Sequence, residues 1–256
     1  MNLVSCYRTN WISNPLSNID LNLNTISLFE FNPNNYTEYI NNLISILDND
    51  EIKRANKYYF KKDSTQFITS RAFLKLIIAK YAGIKPKQVN ILYDSYKKPY
   101  LEENSNLFFN VSHSDNCALI AVNNKKIGVD VEYIKTNFDF EDVLNYSFNK
   151  EEIQFVMEST DSLASFYELW TRKEALLKAI GKGLDETLIK LSVLDGNNSA
   201  NEIIKSNFNV FSFQPSKYHL AALAVENKLD TPKDLRMYYL PDSYTELMKY
   251  LSPKTK

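Results

Sequence analysis

The sequence predicts an α+β fold of two similar subdomains, each an antiparallel sheet with helices packed on it. Three observations carry the prediction. Short β-rich runs bounded by polar turns occur in both halves of the 256-residue chain. Each half also holds one long segment of helical periodicity. No low-complexity linker separates them, and strands grouped apart from helices indicate α+β rather than a parallel α/β sheet. The halves share no sequence identity, so the repeat is architectural. The expected division is an N-terminal subdomain over residues 1–112, a C-terminal one over 113–228 carrying two carboxylate motifs, and a strand–helix extension over 229–256.

In chain order, strands are expected at Leu3–Tyr7 and Ile26–Phe31, joined by an Asn-rich loop. Tyr36, Ile40, Leu43, Ile44 and Leu47 recur at helical spacing. Asp48 with Glu51, and again Asp63 with Gln66, have the spacing of capping boxes that open helices. The second helix is expected to end at Gly83, with Pro86 beyond it. Val89–Tyr93 and Leu107–Val111 read as strands around a polar turn. Cys117–Val122 and Ile127–Ile134, flanking Asn123-Asn124-Lys125-Lys126, predict an antiparallel hairpin. Helices follow at Phe140–Tyr146 and, capped by Asn149, at Lys150–Glu158. The longest is expected from Leu163 to Ile180, stopped by Gly181 and Gly183. Strands near Lys190–Leu194, Asn207–Phe213, Tyr218–Val225 and Arg236–Leu240, a helix at Tyr244–Leu251 and a basic tail complete the pattern.

Composition removes several function classes. A net charge of −1 provides no long-range attraction for nucleic acid. No apolar run is long enough to span a bilayer, and the N-terminus lacks a signal-peptide core. Cys6 and Cys117 lie far apart, without a CxxC, as expected of reduced thiols in a cytoplasmic protein. With only five glycines, neither a GxGxxG nor a GxxxxGK[ST] loop can be written. Any phosphate must be held by side chains.

The stretch Phe109–Glu132 carries the candidate chemistry. Asp130 and Glu132 are two apart on a strand and share a face, with Ile127, Val129 and Val131 on the other. Two such carboxylates call for a cation. In the long helix, Trp170, Glu174 and Lys178 recur every four residues along one face. An exposed Glu–Lys pair is the plain reading. A third carboxylate beside a lysine is also what a Mg²⁺ and polyphosphate site requires, with Lys173 and Lys178 supplying positive charge. Ser112 and His113 invite a hydrolase reading, but adjacent strand residues point apart and no GxSxG elbow is present. They fit better as donors to a phosphate. His219, in an apolar run, reads as a strand-end or core residue.

FNVSHS, IGVDVE and WTRKEALLKAIGKGL, in that order, together resemble the motifs of Sfp-type 4′-phosphopantetheinyl transferases. The resemblance extends upstream through SRAFLK and KKPY, over roughly residues 45–225. It implies two fused copies of a smaller fold with the active site at their pseudo-twofold interface. It implies a Mg²⁺-dependent transfer, with Mn²⁺ as a substitute, of the 4′-phosphopantetheine group from coenzyme A to a serine of an apo acyl or peptidyl carrier protein. By the same resemblance Asp130, Glu132 and Glu174 are metal ligands, and Glu174 is also a candidate general base. Lys173 and Lys178 lie near the pyrophosphate, and Ser112 and His113 contact coenzyme A phosphates. Lys98 contacts the adenine nucleotide, while Arg71 and Lys53 reach the 3′-phosphate. Gln66 stands where many members have arginine, and Lys57 or Lys62 are candidates to compensate. An acidic carrier is expected to dock on basic and apolar surface, placed at Asn137–Glu158, and the enzyme to act as a cytoplasmic monomer. Two alternatives stay open: a non-catalytic coenzyme A or carrier-binding module, and a metal-dependent phosphohydrolase.

Overall fold

The structure, a computed structural model, describes the chain except for residues 1–2, 103–105, 183–186, 195–197, 200–203, 205, 227–234 and 252–256. Gly183, Gly196, the basic tail and the boundary expected at residue 228 lie outside the described residues.

Strands β1 (Leu3–Arg8), β2 (Ser13–Asn14) and β3 (Ile26–Phe31) come first. The helical period after Phe31 resolves into a 3₁₀ segment, Pro33–Tyr39, running into the short α1 (Ile40–Ile44). Helix α2 (Asn49–Ala55) is opened by the Asp48–Glu51 capping box. Helix α3 (Lys61–Ala82) starts earlier than the Asp63–Gln66 spacing suggested, with Phe60 at the cap position and Asp63 within the first turn. An acidic residue there is favoured by the helix dipole without serving as a cap. The ribbon β4 (Ile91–Tyr93) and β5 (Pro99–Leu101) leads to β6 (Phe108–Ser114), β7 (Cys117–Asn123) and β8 (Ile127–Tyr133). Helices α4 (Glu141–Ser147), α5 (Lys150–Met157), α6 (Ser162–Ile180) and α7 (Thr187–Lys190) follow. The strand expected at Lys190–Leu194 is absent: Lys190 ends α7 and 191–194 are irregular. Strands β9 (Asn198–Ser199), β10 (Phe208–Ser216), β11 (His219–Glu226) and β12 (Leu235–Tyr239) precede α8 (Tyr244–Leu251).

Two five-stranded sheets result, ordered β8-β11-β10-β1-β9 and β2-β12-β3-β7-β6. They are mixed rather than purely antiparallel, because β1 runs parallel to β10 and β12 parallel to β3. The chain ends have therefore crossed over. The first strand completes the sheet of the C-terminal half, and the last completes that of the N-terminal half, so the sheets do not follow the 1–112 and 113–228 division. The predicted β7–β8 hairpin is also not formed. β7 pairs with β6 through a tight turn at Asp115, which has φ 50°, and β8 pairs with β11 in the other sheet. Alternation alone cannot tell a hairpin from two strands that part into different sheets.

Each half has the order strand–long helix–hairpin: β3, α3, β6–β7 and then β8, α6, β10–β11. In both, the last strand of the hairpin pairs antiparallel with the first strand. A second likeness lies in the side chains. Glu51 completes the capping box of α2 and accepts from Lys75 of α3 at 2.8 Å, and Glu152 completes that of α5 and pairs with Lys173 of α6 at 2.7 Å. Both lysines are 1% exposed or less. The architectural repeat thus includes a buried Lys–Glu tie between the long helix and the helix before it.

Three apolar layers hold the molecule together. One packs α3 and α8 on the second sheet and another packs α5 and α6 on the first. The third, with Leu28, Leu119, Val129, Val131, Phe211 and Leu223, lies between the sheets. Burial on this scale, about 25 cal/mol per Å² of apolar surface, is the main force joining the halves. Among the described residues, no helix is long and apolar enough to cross a membrane.

Candidate active site

The edge strands β6 and β8 of the two sheets run side by side, joined by side chains. Val129 N–H donates to Asn110 Oδ1 at 2.9 Å, Val131 N–H to Ser112 Oγ at 3.4 Å, and Tyr133 N–H to Ser114 Oγ at 3.0 Å. Every second residue of NVSHS thus satisfies a backbone donor of β8 that has no strand partner on that side. Residues Ile127, Val129 and Val131 of β8 face the layer between the sheets. Gly128, Asp130 and Glu132 therefore face α6.

Gly128 decides how closely α6 approaches. A β-carbon there would overlap the Ala175 carbonyl and the Ala179 amide, so only glycine admits the helix. That close approach carries Glu174 and Lys178 to Asp130. Lys178 Nζ donates to Asp130 Oδ1 at 2.6 Å and to Ser112 Oγ at 3.1 Å, while Ser112 Oγ donates to the same Oδ1 at 2.9 Å. Glu132 Oε2 accepts from Ser114 Oγ at 3.0 Å. Among the described residues, Asp130 Oδ2 and Glu174 Oε1 are buried without a hydrogen-bond partner.

One ammonium faces three carboxylates, and the titration of the group shows the imbalance. Burial, and then the charges of Asp130 and Glu132, push Glu174 up to about 7. Burial raises Asp130 against the pull of Lys178, and burial together with Asp130 raises Glu132. As placed, no three His, Cys, Asp or Glu side chains among the described residues form a metal-binding group. Lys178 holds Asp130 Oδ1, and Oδ2 is the oxygen left without a partner. Two orphaned carboxylate oxygens and surplus negative charge nevertheless suit a hard, oxygen-seeking cation.

Other predicted site residues are distributed differently. Lys173 does not reach the carboxylates. Its ammonium is fully buried, pairs with Glu152, donates to the Leu191 carbonyl at 2.8 Å and lies over the Phe148 ring. It is the immediate neighbour of Glu174 on the helix, and about 100° of rotation points it at the core. Ser112 and His113 are likewise separated by the strand pleat. Ser112 turns inward to Asp130, whereas His113 is exposed on the other side, where desolvation and the Lys178 charge lower its pKa. They do not form a joint clamp. Trp170 stacks on Phe166 in the packed layer.

Lys53 turns outward to Asp50 at 2.8 Å. Its neighbour Arg54, which sequence reasoning missed, joins Arg71 instead. Both guanidinium groups donate to the Tyr93 hydroxyl and lie over the rings of Phe67 and Tyr93. Arg71 also faces Glu51 at 3.6 Å, and its Nη1 is buried with no hydrogen-bond partner among the described residues. Lys98 donates to the Ala179 carbonyl at 2.9 Å and lines a cavity of about 500 Å³ with Tyr100, Phe108, Lys126 and Gly181. Burial pushes its pKa down to about 8. The segment Asn137–Glu158 exposes Tyr146, Phe155 and Met157 amid Asp139, Glu141, Asp142, Glu151 and Glu158, an apolar and acidic surface rather than a basic one.

A family model described as "4′-phosphopantetheinyl transferase superfamily" matches residues 126–227, which span β8, α6 and the β10–β11 hairpin. A second, "4′-phosphopantetheinyl transferase, N-terminal", matches residues 31–125. The 4′-phosphopantetheinyl transferase HetI of Nostoc sp. is 34% identical over 180 residues, covering 68% of this chain and 76% of that one. The chain belongs to the 4′-phosphopantetheinyl transferase superfamily. The 4′-phosphopantetheinyl transferase Sfp of Bacillus subtilis is 25% identical over 214 residues, 80% of this chain and 91% of its own. The mouse L-aminoadipate-semialdehyde dehydrogenase-phosphopantetheinyl transferase is 26% identical over 229 residues, 78% of this chain and 74% of its own. The transferase is thus matched across both halves, and the seam joins β6 of the first matched region to β8 of the second.

Proposed function

We propose that this transferase moves the 4′-phosphopantetheine arm of coenzyme A onto a serine hydroxyl of an apo acyl or peptidyl carrier protein, releasing 3′,5′-ADP. The observation that carries the reading is the charge imbalance at the seam, where three carboxylates share Lys178 and buried oxygens of Asp130 and Glu174 lack partners. Asp130, Glu132 and Glu174 are the oxygen donors for Mg²⁺, or for Mn²⁺ in its place. Bound there, the ion supplies positive charge to the pyrophosphate as its bond to the arm is exchanged. Lys178 moves its charge from Asp130 to the phosphate oxygens that leave. Glu174 is also the candidate to accept the proton of the incoming serine, since a cation beside it would hold its carboxyl ionised. Ser112 keeps Asp130 oriented, and His113 meets a phosphate from the exposed side of β6.

The Arg54–Arg71 pair on Tyr93 is our reading of the 3′-phosphate grip, with the unpaired Nη1 of Arg71 as its inner donor. It answers the loss of arginine at Gln66, and Lys53 contributes only long-range charge. The Lys98 cavity, with its apolar and aromatic lining, suits the adenine ring. Docking of the carrier on Asn137–Glu158 then rests on Tyr146, Phe155 and Met157, not on basic charge. Both halves of the seam come from one chain, so a monomer suffices, and the two free thiols fit a cytoplasmic enzyme.

Mass spectrometry of a panel of apo carriers incubated with the enzyme, coenzyme A and Mg²⁺ tests the reading. Gain of the phosphopantetheine mass on serine, dependent on the ion, is the expected result. Release of nucleotide from coenzyme A without any carrier would identify a phosphohydrolase instead, and binding of coenzyme A with no turnover would identify a binding module.

A further inference from the structure

We propose that His219 is a positioning residue for Glu132, acting through Ser114; the assignment rests on reading Glu132 as a carboxylate of the active site. His219 opens β11 opposite Tyr133, at the end of β8, and only 2% of it is exposed. Its Nε2 lies 3.2 Å from the Ser114 carbonyl oxygen. A carbonyl only accepts, so Nε2 carries the proton and Nδ1 is the acceptor. Ser216 Oγ, 2.8 Å from Nδ1, is then the donor, and it accepts in turn from Tyr218 N–H at 3.2 Å. Both ring nitrogens are satisfied in a neutral imidazole, the form that burial favours.

This arrangement ties three pieces of chain. Ser216 belongs to the β10–β11 turn and Ser114 to the end of β6, at the β6–β7 turn. Beyond the ring, the Ser114 hydroxyl donates to Glu132 Oε2 and accepts from Tyr133 N–H. Ser114 is the last rung between β6 and β8, next to Asp115 with its left-handed backbone, the end of the seam where rungs part first. The inner rungs at Asn110 and Ser112 are buried, whereas Ser114 is only partly so. Anchoring its carbonyl to a buried imidazole of the other half fixes the direction of its hydroxyl, and with it the rotamer of Glu132. A merely well-packed core histidine would support the fold without this effect on Glu132.

Full-length His219→Phe fills the space without making either bond, and His219→Gln retains a donor for the Ser114 carbonyl. Amide exchange followed by NMR should show Tyr133 exchanging about tenfold faster in the Phe variant, with the α3 amides unchanged. Its crystal structure should show Glu132 in a different rotamer. Mn²⁺ affinity, read by electron paramagnetic resonance, should weaken about tenfold, with kcat lowered and KM for coenzyme A within about twofold of wild type. The Gln variant should recover most of each change, and Ser114→Ala should reproduce them without adding to His219→Phe. Unchanged Tyr133 exchange with Glu132 in place, or exchange rising equally throughout the molecule, would overturn the assignment. Exchange and crystallography need neither substrate nor ion, so they decide the role of His219 even if the wild type transfers nothing, a result that would count against the proposed function alone.

Discussion

Lys178 and Asp130 form a 2.6 Å ion pair across the seam, one partner on α6 and the other on β8, and Ser112 of β6 bonds to both. Asp130 is almost wholly buried, while 29% of the Lys178 side chain is exposed. The lysine can therefore swing toward solvent, and the aspartate cannot. The pair neutralises a buried carboxylate, and in the proposed function the swing of Lys178 is what would free it for a divalent ion. Leaving such a charge uncompensated in the interior would be costly.

Asp130→Asn is expected to lower turnover on the order of 100-fold with the fold retained, because it keeps the shape and removes one of the proposed cation ligands. Saturating Mg²⁺ at about 100 times its Kd should stabilise the wild type by about 2.7 kcal/mol in thermal melts, and this gain should vanish in the variant. Full activity in Asp130→Asn would remove it from the ligand set.

Glu174 gives a pH signature. Its carboxyl is raised from 4.5 to about 7, so the native state holds a proton that the unfolded chain has released. Stability from this group is present below pH 4.5 and declines as pH rises toward about 7, by about 3 kcal/mol at most. Glu174→Gln should flatten that decline in denaturant titrations between pH 5 and 7.5. An unchanged slope would show the carboxyl to be unperturbed.

Gly128→Ala should cost about 3 kcal/mol or more and suppress transfer, because the added methyl meets backbone that cannot retreat without lifting α6 from β8. Circular dichroism melts with activity assays check both effects. A stable, active variant would mean that the close approach is not needed.

Lys173→Met should destabilise by about 3–5 kcal/mol by leaving Glu152 buried and unpaired. Lys173→Met with Glu152→Gln together should recover part of that loss. If Lys173 instead grips phosphate, the single variant will melt normally and show a raised KM for coenzyme A.

Much of this site was legible in one dimension. Period two put Asp130 and Glu132 on one face, and helical period put Glu174 and Lys178 on another, both as observed. Asn149 and Asp48 announced their helices through capping spacing, since caps are local backbone chemistry. The partners of these elements were not legible. NVSHS reads as an ordinary strand, and only the approach of β8 turns Asn110, Ser112 and Ser114 into rungs. Arg54 and Lys53 are equivalent in a sequence, and the positions of Phe67 and Tyr93 decide between them. Lys173 looked like a site cation because its buried acceptor, Glu152, is 21 positions away by number.

By itself the sequence determined which side chains share a face, and that no glycine-rich phosphate loop can be written with its five glycines. Only the tertiary structure decided that β7 and β8 part into different sheets, that β1 and β12 exchange between the halves, and that Gly128 sets the depth of α6. The reason is physical. Facing and capping follow from backbone geometry within a few residues, whereas strand pairing and charge pairing depend on which distant surfaces burial brings together.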